Sequence, residues 1–77
     1  MEMKTLLKMS VNSGLKYNLT GEKGGEKTLL IDLCLPDESG ARKKVPESRY
    51  SIMLSYLERM GKPFEYTANG TCLKVIV

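Results

Sequence analysis

"YSIMLSYLERMGKPFEYTANGTCLKVIV", residues 50 to 77, decides the fold, because it passes from a 3.6-residue to a 2-residue apolar period with a stop signal between them. Tyr50, Met53, Leu54, Leu57 and Met60 stand at i, i+3, i+4, i+7 and i+10, the single apolar stripe of an amphipathic helix. Pro46 or Ser48 marks its entrance. Gly61-Lys62-Pro63 marks its exit, since glycine is free to take the left-handed cap and proline blocks continuation. Beyond it, Asn69-Gly70 is the most favourable pair for a two-residue type I′ hairpin turn. That turn predicts the pairs Ala68 with Thr71, Tyr66 with Leu73, Glu65 with Lys74 and Phe64 with Val75. Glu65 and Lys74 are opposite charges on the outer face, so turn and side chains agree. Phe64, Tyr66, Leu73, Val75 and Val77 are expected to point inward.

The first half reads as further strands. Met3, Thr5, Leu7, Met9 and Val11 alternate with Lys4, Leu6, Lys8 and Ser10, which predicts a half-buried strand. Asn12-Ser13-Gly14 is then expected to turn the chain, with Gly14 at positive φ, into a return strand on which Leu15, Tyr17 and Leu19 share a face. Residues 21 to 27, "GEKGGEK", form a polar loop. "TLLIDLCL", residues 28 to 35, is apolar on both faces and so reads as a central strand, with Leu29, Ile31, Leu33 and Leu35 on one side. Pro36 is expected to end it. Residues 37 to 45 are either a loop or a short return strand at an edge, where lysines would discourage aggregation.

These elements predict an α+β fold: a mostly antiparallel sheet of five strands, or six, with one α-helix packed on one face, in the order βββ(β)αββ. Seventy-seven residues suit one compact domain spanning 1–77, with room for a single core. The sequence has no apolar run approaching the roughly 18 residues of a membrane span, and its start lacks a signal-peptide layout. A cytoplasmic location is the expectation. Cys34 and Cys72, both in apolar runs, then read as buried thiols, a disulfide being the alternative.

The absence of histidine removes the usual partner of a serine or cysteine nucleophile. Two cysteines alone cannot supply the four ligands of a structural zinc site, so no metal and no cofactor are expected. Glu22 with Glu26, and Asp37 with Glu38, are the acid pairs on offer for general acid and base. Each lies beside glycine or proline, where carboxylates are usually solvated turn residues. Asp32, in mid-strand, is expected to face outward opposite a lysine. No enzyme activity is expected.

The net charge of +3 is unevenly placed: +2 over residues 1–20, −3 over 21–40 and +4 over 41–77. Arg42, Lys43, Lys44 and Arg49 gather just before the helix, where cations oppose the positive end of the helix dipole and unpaired N–H groups favour an anion. Those four residues are therefore the candidate site for a partner's carboxylates or for a phosphate. A second candidate surface is the uncovered sheet face, expected to carry Leu6, Leu30, Cys34, Cys72 and Ile76, on which a homodimer could form. The leading expectation is a small binding module acting by protein–protein contact with an acidic surface. Chains of this size without cofactor chemistry often act as regulators or inhibitors of larger complexes, including those of phages and mobile elements. The alternatives are a small nucleic-acid-binding protein that contacts phosphate through the basic rim, or a structural homodimer subunit. The helix surface of Ser51, Ser55, Glu58, Arg59 and Lys62 is too weakly basic for reading a major groove.

Overall fold

The computed structural model describes residues 3–21, 25 and 27–76. In chain order the elements are α1 (Met3–Asn12), β1 (Tyr17–Gly21), β2 (Lys27–Asp32), β3 (Cys34–Pro36), β4 (Arg42–Lys44), a 3₁₀ turn (Glu47–Arg49), α2 (Ser51–Arg59), β5 (Phe64–Thr67) and β6 (Cys72–Ile76). β1, β2, β6 and β5 lie side by side in that order as a four-stranded antiparallel sheet, and β3 pairs with β4 in a two-stranded ribbon. The α+β class stands, but the described residues hold two α-helices where one was expected. No helix among them is long and apolar enough to cross a membrane.

The additional helix is α1, in place of the first expected strand. Its letters satisfy two periods: Leu6 and Ser10, one turn apart, are fully buried, while Lys4, Lys8 and Val11 face solvent. Leucine, methionine and lysine favour a helix over a strand, which tips the balance. Residues 12 to 14 then close the helix instead of turning a hairpin. The N–H of Leu15 donates to the carbonyl of Ser10 (3.0 Å) and that of Gly14 to Val11 (2.9 Å), with Gly14 at φ 74°. This pair of bonds is a Schellman cap, and Leu15 buries itself just beyond it. Ser10 satisfies its buried hydroxyl on the Leu15 carbonyl (3.4 Å). Leu6 is therefore a core residue and no part of an outer sheet face.

The apolar run 28–35 is divided by one side chain. Asp32 accepts a hydrogen bond on Oδ1 from the N–H of Cys34 (3.0 Å), bending the strand after Leu33. Leu33 still bonds to Thr71 through its N–H (2.9 Å), while its carbonyl accepts from Val45 (2.8 Å). From there the chain leaves the sheet as β3 and returns as β4, so the short return strand forms. Pro36, opposite Arg42, is the last residue of β3. The intervening turn is tied by Asp37, whose Oδ1 accepts from the Ser39 N–H (2.8 Å), the Ser39 hydroxyl (2.6 Å) and the Ala41 N–H (3.0 Å).

The C-terminal half follows its sequence closely. Tyr50, Met53, Leu54 and Leu57 are buried as the stripe requires, though Met60 is 44% exposed. Gly61, at φ 67°, caps α2 with the same pair of bonds seen at Gly14. The pairs Phe64–Val75, Glu65–Lys74 and Tyr66–Leu73 form as predicted, with Glu65 and Lys74 bridged at 3.5 Å. The Asn69-Gly70 turn forms too: both residues take positive φ and the Thr71 N–H donates to the Ala68 carbonyl (3.2 Å), while Ala68, also at positive φ, adds a second closure from the Gly70 N–H to Thr67 (3.0 Å), with the register unchanged. Tyr66 points to the helix side but stays 44% exposed, and Val77 lies outside the described residues.

One core results. Leu29 and Ile31 of β2 and Leu73 and Val75 of β6 face Leu6 of α1 and Met53, Leu54 and Leu57 of α2, with Leu15, Leu33, Val45 and Tyr50 closing its ends. Both helices therefore serve the same face of the sheet, and among the described residues no helix covers the other face.

Candidate functional site: the rim from Arg42 to Ile52

The cationic stretch begins in β4 and ends with Arg49 at the close of the 3₁₀ turn, just before α2. Its four basic residues have separate environments. Arg42 donates from its guanidinium to the Asp32 carboxylate and also reaches the Cys34 carbonyl (3.4 Å). Asp32 thus meets an arginine across the bend, not the lysine expected of it. Lys43 lies 3.5 Å from Asp37. Two of the four cations consequently face carboxylates that also organise the backbone of their own ribbon.

Lys44 and Arg49 are different: neither has an ion-pair partner among the described residues. Lys44 sets its Nζ 5.3 Å from the centroid of the Tyr66 ring, a cation–π contact with an edge-strand aromatic. Burial of the Tyr66 phenol raises its pKa above the ordinary value, helped by the neighbouring Tyr50 hydroxyl and the charge of Glu47, while Lys44 acts in the opposite sense. The 3₁₀ turn that carries Glu47 therefore sits beside Tyr66. Arg49 ends that turn, and Tyr50, with φ −126°, separates it from α2. The helix begins at Ser51, so Arg49 does not stand within its first turn. The expected conflict between Arg49 and the helix dipole is correspondingly weaker, because the dipole acts mainly within that turn.

The same segment carries a residue that the periodicity set aside. Ile52 is 75% exposed, the most open of the exposed large apolar side chains. Its signal in the sequence was an isoleucine falling outside the Tyr50–Met53–Leu54–Leu57 stripe. Residues 44 to 52 thus offer two cations without a carboxylate partner among the described residues, one exposed isoleucine and, through Lys44, the open tyrosine of β5.

The second candidate surface is less apolar than its letters suggest. Without Leu6, the outer face holds Leu30, Cys72 and Ile76, all half-buried, with Cys34 on the ribbon. Cross-strand neighbours interrupt them: Leu30 lies between Asn18 and Lys74, and Cys72 between Asp32 and Thr67. Cys34 and Cys72 are free thiols, half-buried where full burial was expected. A depression of about 160 Å³, lined by Pro63, Phe64, Glu65, Lys74 and Ile76, is well under the roughly 300 Å³ of a typical small-molecule pocket.

Of the acid pairs, Asp37 is held in its turn by Ser39 and Ala41, and Glu38 is exposed. Glu22 and Glu26 lie outside the described residues. Comparison with protein-family models, with curated proteins and with solved structures gives no match for this chain.

Proposed function

We propose that the protein is a small binding module that acts by protein–protein contact, with residues 44 to 52 meeting an acidic, partly apolar surface of its partner. The observation that carries this reading is the contrast within the rim. Arg42 and Lys43 face Asp32 and Asp37, whereas Lys44 and Arg49 have no carboxylate partner among the described residues and stand in one segment with an isoleucine that is 75% exposed. An open aliphatic side chain among cations favours a protein surface, where an apolar contact is ringed by charge pairs, over a phosphate backbone, which uses charge alone. Arginine and tyrosine are also the residues in which binding energy concentrates at protein interfaces. A role as regulator or inhibitor of a larger complex, of the kind phages and mobile elements carry, accords with a chain whose distinctive features lie on its surface.

The test is affinity capture from a nuclease-treated lysate with the wild-type chain and with a Lys44→Glu, Arg49→Glu variant. A protein retained by the first and lost by the second supports the reading. Micromolar binding of short RNA or DNA that fades with added salt would replace it with phosphate recognition.

A further inference from the structure

Among the described residues four strands, β1, β5, β3 and β4, have a side without a partner strand, and they are not equally guarded. In the ribbon, β3 ends in Pro36, and β4 consists of Arg42, Lys43 and Lys44. β5 carries Glu65 and follows directly on Pro63. Charges and proline are the usual protections of an edge against pairing with another chain. β1 has neither: Tyr17, Asn18, Leu19, Thr20 and Gly21 are uncharged, all five are exposed, and their register with β2 runs without a bulge.

The direction of the free backbone groups follows from the ladder. The Asp32 N–H donates to the Lys16 carbonyl (2.8 Å), so the pairs Asn18–Leu30 and Thr20–Thr28 carry the bonds between β1 and β2. The N–H and C=O of Tyr17, Leu19 and Gly21 then point away from the sheet. Tyr17 and Leu19 share the helix-side face with Ile31 and Leu29, yet they remain 43% and 40% exposed because no helix reaches over them.

From this edge we infer that β1 is a self-association strand, pairing antiparallel with β1 of a second copy about a two-fold axis through Leu19. Only this register matches all three free residues at once. Leu19 faces Leu19 of the second copy, and Tyr17 faces Gly21 on each side, each pair exchanging both N–H···O bonds. The side chains agree with the backbone. Leucine meets leucine on the helix side, and the tyrosine ring lies over the glycine, the cross-strand arrangement in which an aromatic covers the gap left by a missing side chain. Asn18 opposes Thr20 on the other face. No like charges meet within the five residues, and two four-stranded sheets become one continuous sheet. A charged or bulky strand from an unrelated protein would lack this fit, which is why the second copy is the occupant. The inference is independent of the reading of residues 44 to 52. Pairing one short strand buries less than the roughly 1,200 Å² of a stable interface, so the dimer is micromolar or weaker.

Sedimentation equilibrium from micromolar to millimolar chain, joined to amide hydrogen exchange, tests it. The expected result is a monomer–dimer equilibrium abolished by Leu19→Lys. The Tyr17, Leu19 and Gly21 amides should exchange more slowly as concentration rises, while those of Asn18 and Thr20, already bonded to β2, should not respond. The exchange measurement uses the unaltered chain and stands even if the variant folds poorly. A monomer at millimolar concentration, or a dimer whose Leu19 amide exchanges freely, overturns the inference.

Discussion

Asp32 and Arg42, ten residues apart, meet as an ion pair across the bend where β2 gives way to the ribbon. The same carboxylate accepts the Cys34 N–H, so it fixes the kink and also holds a cation that the sequence assigns to a binding rim. Arg42 therefore belongs to the fold before it belongs to any partner.

The two residues of that pair should be unequal under mutation. Both side chains are well exposed, 53% for Arg42 and 36% for Asp32, so the Coulombic part is small and Arg42→Ala should cost about 0–1 kcal/mol. Asp32→Ala also strands the Cys34 N–H at a half-buried bend, which should cost about 1–3 kcal/mol. Urea unfolding of the two variants checks the order, and equal losses would mean that the bend does not depend on the aspartate.

Asp37 makes stability depend on acid. Hydrogen bonds from Ser39, the hydroxyl first and then the N–H, together with Ala41 and Lys43, outweigh its desolvation and hold its pKa below the ordinary 3.8. A depressed folded-state value means that the unfolded chain binds the proton more readily, so the contribution is present above pH 3.8 and is lost as pH falls through the folded value. Asp37→Asn should flatten the decline in melting temperature over that acidic window. An unchanged profile would show that other carboxylates set the acid limit.

Leu6 takes a core position that alternation denied it, whereas Ile52 lies open as its place outside the helix stripe implies. Leu6, read from alternation as an outer-face residue, is fully buried against α2 and the sheet, and Leu6→Ala should cost about 2–5 kcal/mol. Ile52→Ser, on an open surface, should change stability by no more than about 0.5 kcal/mol. Thermal unfolding distinguishes them, and a small Leu6→Ala effect would argue against α1 as part of the core.

The sequence was legible where two signals agreed. The helix stripe from Tyr50 and its Gly61 exit reinforce each other, and the last hairpin has both a turn and a charge pair to set its register. It misled where one signal stood alone. Residues 3 to 11 alternate, but Leu6 and Ser10 also lie one helical turn apart. Gly14 suits a helix cap as well as a hairpin turn, since positive φ is common to both. Only the packing of Leu6 and Leu15 into the core decides between them. The rim was legible as a cluster of charges but not in its pairing. Whether Arg42 is free or bound depends on a bend at Leu33 that brings Asp32 beneath it, and linear spacing does not reveal that contact. Ile52 and the unguarded edge of β1 were visible as letters and gained meaning only from what fails to cover them.

The central claim is that Lys44, Arg49 and Ile52 form a contact surface for an acidic protein partner. Its most direct test is the affinity of the captured partner for the wild-type chain and for Lys44→Glu, Arg49→Glu, measured by titration at two salt concentrations, with the Leu19→Lys chain alongside. The account predicts binding at least about tenfold weaker for the double variant, or about 1.4 kcal/mol, and little change for Leu19→Lys. Equal affinity for the wild-type and double-variant chains would contradict it.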